Sequence, residues 1–196
     1  MKLGPNEPAD PATLGYSVNH FGLVVKDLDA TIDFYTKVIG MRHIFTYSAS
    51  DKFSIAYIGH SHGGKNGTGY QTTEEMLREK NNSGGLMEFL HLKGGNSAPL
   101  SSETRTTTFS HVGLIVPDIK ATQDRMDKFG IKVLKRIGEI PTPGGPLDNA
   151  FALGDDMTND QAVIAAALRG IAGIGFEDFL VVADPDGNLI EIQQQN

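Results

Sequence analysis

Asn19-His20-Phe21-Gly22-Leu23-Val24-Val25-Lys26-Asp27 is the stretch from which the rest of the chain is read. A histidine enters an apolar, β-branched run, and an aspartate stands where a helix should begin. The pattern returns 91 positions later as Ser110-His111-Val112-Gly113-Leu114-Ile115-Val116-Pro117-Asp118. Each copy is answered by a strand-like segment with a carboxylate, Gly85-Leu86-Met87-Glu88-Phe89-Leu90 and Asn188-Leu189-Ile190-Glu191-Ile192. Two His strands and two Glu strands in one repeated order mean two units that share a sheet or an interface. The two-residue strand period puts His20 with Val24, His111 with Ile115, Leu86 with Glu88, and Leu189 with Glu191 on common faces. For the first strand the inward set is then Val18, His20, Gly22 and Val24.

Working outward, Asp27 is suited to cap a helix over 28–38 that Gly40 ends. Strands are expected over 42–48 and 53–58, with Ala49-Ser50-Asp51-Lys52 turning between them. A glycine-rich loop at 60–70 and a short polar helix at 72–80 precede the Glu88 strand. The second unit repeats the order with a strand at 109–116, a helix at 119–129 and a strand at 132–137. A longer excursion follows, opened by Pro141-Thr142-Pro143-Gly144-Gly145-Pro146 and holding a helix at 159–169. It closes with a strand at 179–183, the turn Asp184-Pro185-Asp186-Gly187 and the Glu191 strand. The expected organisation is an N-terminal arm (1–16), a first βαβββ module (17–91), a linker (92–108), and a second βαβββ module with a helical insertion (109–196). The expected fold class is α+β, the two modules forming one curved eight-stranded mixed sheet with both His and both Glu on its concave side.

The chain of 196 residues has a net charge of −7 and no cysteine. Its acidity argues against nucleic acid or an anionic membrane as the main partner. No apolar run approaches the roughly 20 residues of a membrane span. Without cysteine there are no disulfides, thiolate ligands or thiol nucleophiles, which fits a cytoplasmic protein. A metal would have to be held by His, Asp or Glu, which suits Zn²⁺, Ni²⁺, Fe²⁺ or Mn²⁺. A lone His or Glu on an apolar strand is ordinarily a satisfied core or edge residue. Four in duplicated registers call for a shared partner, because four buried polar groups without one would be costly. Gly59-His60-Ser61-His62-Gly63 matches a nucleophile-elbow string but lacks the helix that elbow requires. Gly59 to Asn66 approaches a phosphate loop without its hydroxyl residue. His43 and His91 have no repeat partner and read as structural.

These motifs carry a resemblance, together with Asp33-Phe34-Tyr35, Ile39-Gly40-Met41 and Asp184-Pro185-Asp186-Gly187-Asn188-Leu189-Ile190-Glu191-Ile192. From about Ser17 to Gln193 the chain resembles the vicinal oxygen chelate superfamily, most nearly glyoxalase I. The resemblance implies a metal bound by His20, Glu88, His111 and Glu191, with Glu191, and Glu88 as the symmetric alternative, in the catalytic role of moving a proton between adjacent carbons. The implied activity is a metal-dependent lyase or isomerase acting through a metal-chelated enediolate. The family's glutathione-gripping positions fall on Val24, Leu92 and Thr107, which lack its arginine and asparagine side chains. A non-glutathione substrate is therefore expected, a small molecule of apolar or aromatic character to match Tyr47, Tyr57, Phe109, Phe151, Phe176 and Phe179. An extradiol-type dioxygenase using His20, His111 and Glu191, and a non-catalytic small-molecule-binding module, are the alternative readings. A homodimer is expected, and the sequence leaves open whether one chain or two build the site.

Overall fold

The structure, a computed structural model, describes residues 1–63 and 69–195. Part of the glycine-rich loop expected over 60–70, including the end of the phosphate-loop string, lies outside the described residues. The first unit runs β1 (His20–Val25), α1 (Leu28–Asp33), β2 (Arg42–Ser48), β3 (Phe53–Gly59), α2 (Thr73–Arg78) and β4 (Leu86–Leu92). The second runs β5 (His111–Val116), α3 (Ile119–Lys128), β6 (Val133–Lys135), α4 (Gln161–Ile171), β7 (Leu180–Ala183) and β8 (Leu189–Gln194). Helix starts follow local chemistry. Asp27 accepts from Ala30 N–H at 3.0 Å and Asp118 from Ala121 N–H at 2.9 Å, each filling one of the donors a helix leaves open. Thr72 and Glu75 form a reciprocal capping box on α2. After Asp33, α1 widens into a π-type turn over Phe34–Val38.

The eight strands do not form one curved sheet. Among the described residues they make two four-stranded mixed sheets, ordered β1-β4-β3-β2 and β5-β8-β7-β6, with only β1–β4 and β5–β8 parallel. The reason is in the packing. Leu23, Val25, Ala56, Ile58, Met87 and Phe89 of the first sheet share one core with Leu180, Val182, Ile190 and Ile192 of the second, and with Phe34, Tyr35 and Val38 after α1 and Ile119 and Met126 of α3. The units thus meet through their helix-bearing faces, not edge to edge, and β1 and β5 remain outer strands. The inward set expected for β1 is corrected by the same observation. Leu23 and Val25 are buried, whereas Val18 is 71% and Val24 58% exposed. His20 and Gly22 lie on the open face.

The Asp184–Gly187 turn staples the two units. Asp184 accepts from the backbone N–H of Asp186 and Asn188, from Asn188 Nδ2 and from the buried Tyr35 hydroxyl at 3.1 Å. Burial pushes the Asp184 carboxyl above its ordinary range, against the pull of those donors. Burial, and then the Asp184 charge, raises the Tyr35 hydroxyl as well. Asp186 Oδ1 accepts Lys26 N–H at 3.0 Å, which ties the turn to the end of β1. Gly187 has φ +88°, and a Cβ there would lie 2.6 Å from Ser101 Oγ, so glycine is required for both conformation and space. The stretch expected as a linker contributes directly here. Ser101 and Ser102 are buried, and Ser102 Oγ accepts Leu189 N–H at the head of the Glu191 strand.

Candidate metal centre

Register brings each histidine beside its glutamate. In the first sheet Gly22 pairs with Glu88, Glu88 with Tyr57, and Tyr57 with Phe45, one row across four strands. In the second, Gly113 pairs with Glu191, Glu191 with Val181, and Val181 with Lys135. His20 and His111 each stand two residues before the glycine of their row, on the same face as the carboxylate. His20 Nε2 lies 3.6 Å from Glu88 Oε2, and His111 Nε2 lies 3.9 Å from Glu191 Oε2. At Gly22 a Cβ would sit 3.4 Å from Glu88 Oε2, so glycine leaves the carboxylate room to turn toward the imidazole.

The four residues do not converge within one chain. Among the described residues, no three His, Cys, Asp or Glu side chains are grouped so as to hold a metal. Both pairs lie on the sheet faces opposite the shared core, which separates them into two half-sites. Each half-site nevertheless fits a divalent cation chemically. His20 Nδ1 is engaged by Asn19 Oδ1 at 2.9 Å and His111 Nδ1 by Ser110 Oγ at 2.8 Å, so the Nε2 atoms are the ones turned to the carboxylates. One imidazole nitrogen and one carboxylate oxygen from each half suit Zn²⁺, Ni²⁺, Fe²⁺ or Mn²⁺.

The surroundings of the halves differ. Beside His20, Tyr57 meets the imidazole edge-on at 5.3 Å and stacks on Phe45 at 5.1 Å, and its hydroxyl lies 3.4 Å from His20 Nε2. Burial, then hydrogen bonding to Glu88 and that residue's charge, pushes the Tyr57 hydroxyl up to about 12. It is therefore a neutral phenol near pH 7, a donor rather than a base. Lys80 Nζ stands 4.6 Å from the Tyr57 ring centroid.

Beside His111 the long insertion supplies an aromatic wall. Phe151 lies 6.0 Å from the His111 ring, Phe176 meets Phe151 edge-on at 5.4 Å, and Phe179 follows. Glu191 is nearly buried, and its Oε1 accepts from Gln193 Nε2 at 2.7 Å. The insertion is anchored by Lys135, whose buried ammonium donates to the carbonyls of Arg136, Glu177 and Phe179. Burial lowers the Lys135 pKa, and nearby acids, Glu191 among them, oppose that shift. A cavity of about 620 Å³ between the units reaches His111 and is lined by Phe21, Met41, Met87, Phe109 and His60.

Of the aromatic residues expected inward, Tyr57 and Phe151 reach the half-sites, whereas Tyr47 is 60% exposed. Val24 and Leu92, on the site faces of β1 and β4, are also more than half exposed. Asn19, Ser110 and Gln193, which touch the candidate ligands, were not singled out by sequence reasoning. Ser110 and Asn19 occupy one repeated position, immediately before the histidine, and that shared place was the available signal.

Residues 17–146, more than half of the chain, match the model of the Glyoxalase/Bleomycin resistance protein/Dioxygenase superfamily. The chain belongs to that superfamily. Within it, a lactoylglutathione lyase of Pseudomonas putida is 26% identical over 141 residues, 69% of this chain and 80% of that one. A lactoylglutathione lyase of Pseudomonas aeruginosa is 25% identical over 189 residues, 94% of this chain and 86% of its own. Among solved structures, the trypanothione-dependent glyoxalase I of Leishmania major superposes with a TM-score of 0.53 at 18% identity, covering 92% of this chain and 87% of that one. That likeness is one of fold. No helix among the described residues is long and apolar enough to cross a membrane.

Proposed function

We propose that this glyoxalase-superfamily chain is a divalent-metal-dependent lyase or isomerase that moves a proton between adjacent carbons of a small substrate carrying two vicinal oxygens. The metal ligands are His20 and Glu88 of one chain and His111 and Glu191 of a second copy. The observation that carries the reading is the pair of matched half-sites, each with a His Nε2 turned to a Glu carboxylate on a face directed away from the shared core. Superfamily membership and lactoylglutathione lyase relatives support an enzymatic role of this class.

A divalent cation bound there supplies Lewis acidity, stabilising the negative charge that develops on two adjacent substrate oxygens as the carbon-bound proton leaves. The chain's own residues do the rest. Glu191, in a nearly dry setting, accepts the proton from one carbon and returns it to the next. Tyr57, a neutral phenol beside Glu88, places its hydroxyl 3.4 Å from His20 Nε2 and can donate into the half-site. Phe151, backed by the buried Phe176, and the exposed Val24 and Leu92 line the approach with apolar surface.

Purified protein is expected to hold one divalent ion per site, and His111→Ala to abolish metal retention at neutral pH, read by elemental analysis. Stoichiometric metal in that variant would move the site elsewhere.

We further propose an apolar or aromatic substrate in place of a glutathione adduct. Val24, Leu92 and Thr107 cannot make charge-assisted contacts to the tripeptide's carboxylates, each worth about 1.5–3 kcal/mol. Steady-state kinetics on the glutathione–methylglyoxal adduct should show poor or absent turnover. Efficient turnover at micromolar substrate would instead return the chain to the chemistry of its lactoylglutathione lyase relatives.

A further inference from the structure

Asn19 lies just before β1, and its side chain contacts three residues. Its Nδ2 is 2.8 Å from the Lys80 carbonyl and 2.6 Å from the Ser83 carbonyl, both at the end of the first unit's excursion. Carbonyl oxygens only accept, so the amide nitrogen must face them and the orientation of the side chain is determined. Oδ1 then faces His20 Nδ1, at 2.9 Å. An amide oxygen also only accepts, so Nδ1 must carry the proton. In the neutral ring this leaves the lone pair on Nε2, the atom turned toward Glu88 Oε2.

The second half-site is built differently. Ser110 Oγ stands in the place of the amide, 2.8 Å from His111 Nδ1, and a hydroxyl can either donate or accept. Nothing about Ser110 selects the tautomer of His111. The two repeated histidines therefore differ in preparation, and the difference comes from one residue outside the ligand set.

We infer that Asn19 is a positioning residue that locks His20 in the Nδ1–H tautomer and clips the excursion's end to the half-site, preparing Nε2 as a metal donor. The metal part of this inference rests on the proposed metal centre; the tautomer part stands on the hydrogen bonds alone. Outer hydrogen-bond partners of this kind are typically worth 10–100-fold in metal affinity.

The test begins with the wild-type protein free of metal, at a pH where the ring is neutral. Long-range ¹H–¹⁵N NMR of the histidines, with His20 assigned by its loss in His20→Ala, is expected to show a protonated Nδ1 and a pyridine-type Nε2. Zinc affinity by chelator competition is then compared across variants. Asn19→Ala should give a mixed tautomer and bind zinc about 10–100-fold more weakly. Asn19→Asp keeps an acceptor oxygen for Nδ1 but loses both bonds to the excursion, so it should retain the Nδ1–H tautomer that Asn19→Ala loses and bind zinc more tightly than Asn19→Ala, a difference that a merely structural role would not produce. A wild-type His20 protonated on Nε2 overturns the inference, and so does an Asn19→Ala protein with unchanged tautomer and affinity. If Asn19→Ala fails to fold, the wild-type spectrum and Asn19→Asp still decide it. If wild-type protein shows the expected tautomer but binds no zinc, the positioning of His20 stands and the metal-centre reading falls.

Discussion

Glu191→Gln is expected to keep most of its metal and to lose turnover by about 10²–10⁴-fold, the usual worth of a positioned acid–base group. The amide retains an oxygen ligand and the side-chain shape but cannot accept a carbon-bound proton. Glu191 is the better placed of the two carboxylates for that task. It is nearly buried, its Oε1 is fixed by Gln193, and its strand leaves a turn held by Asp184 and Gly187. The side chain therefore has little freedom to drift and little water to displace. Glu88 has a side chain about twice as exposed, 20% against 11%, and Tyr57 as its cross-strand partner. Glu88→Gln should consequently keep more of both metal and turnover. Metal content and solvent-deuterium incorporation into product, measured on both variants, separate the roles. Wild-type deuterium exchange in Glu191→Gln would make Glu88 the base.

Much of this arrangement was legible in the sequence because it is periodic. The two-residue alternation along β1, β4, β5 and β8 put each histidine and glutamate on one face, and Asp27 and Asp118 marked where helices begin. The association of the two units was not legible. β1 carries apolar side chains on both faces, Leu23 and Val25 on one and Val24 on the other, and alternation alone does not say which face is covered. Only the joint core around Tyr35, Met87, Ile190 and Ile192 decides that the units meet through their helix-bearing faces. Edge pairing into one eight-stranded sheet was the natural reading of a repeat, and it failed on long-range packing. Asn19 escaped for a related reason. Its role depends on carbonyls at Lys80 and Ser83, some 60 positions away, whose approach no local pattern encodes.

Two inactive variants are expected to restore each other. If each metal centre takes His20 and Glu88 from one chain and His111 and Glu191 from its partner, a mixed dimer of His20→Ala and Glu191→Gln chains contains one doubly damaged centre and one intact centre. The intact centre combines the undamaged first unit of the Glu191→Gln chain with the undamaged second unit of the His20→Ala chain. With random association about half the dimers are mixed, so activity should recover to roughly a quarter of the wild-type level, from parents that each have almost none. The expectation follows from the half-sites themselves. Each faces away from the core that its own chain completes, and β1 and β5 are outer strands whose edges pair with no other strand among the described residues. The apolar residues beside them, Phe21, Val24 and Ile115, are each more than half exposed. A centre assembled within one chain gives the opposite result, because every chain in the mixture then carries a damaged centre. Co-expression with two different tags, tandem purification of the mixed species, in which activity should rise to about half the wild-type level, and assay of activity together with bound metal distinguish the outcomes. Activity no higher than that of the parents would mean that the two chains do not share the site.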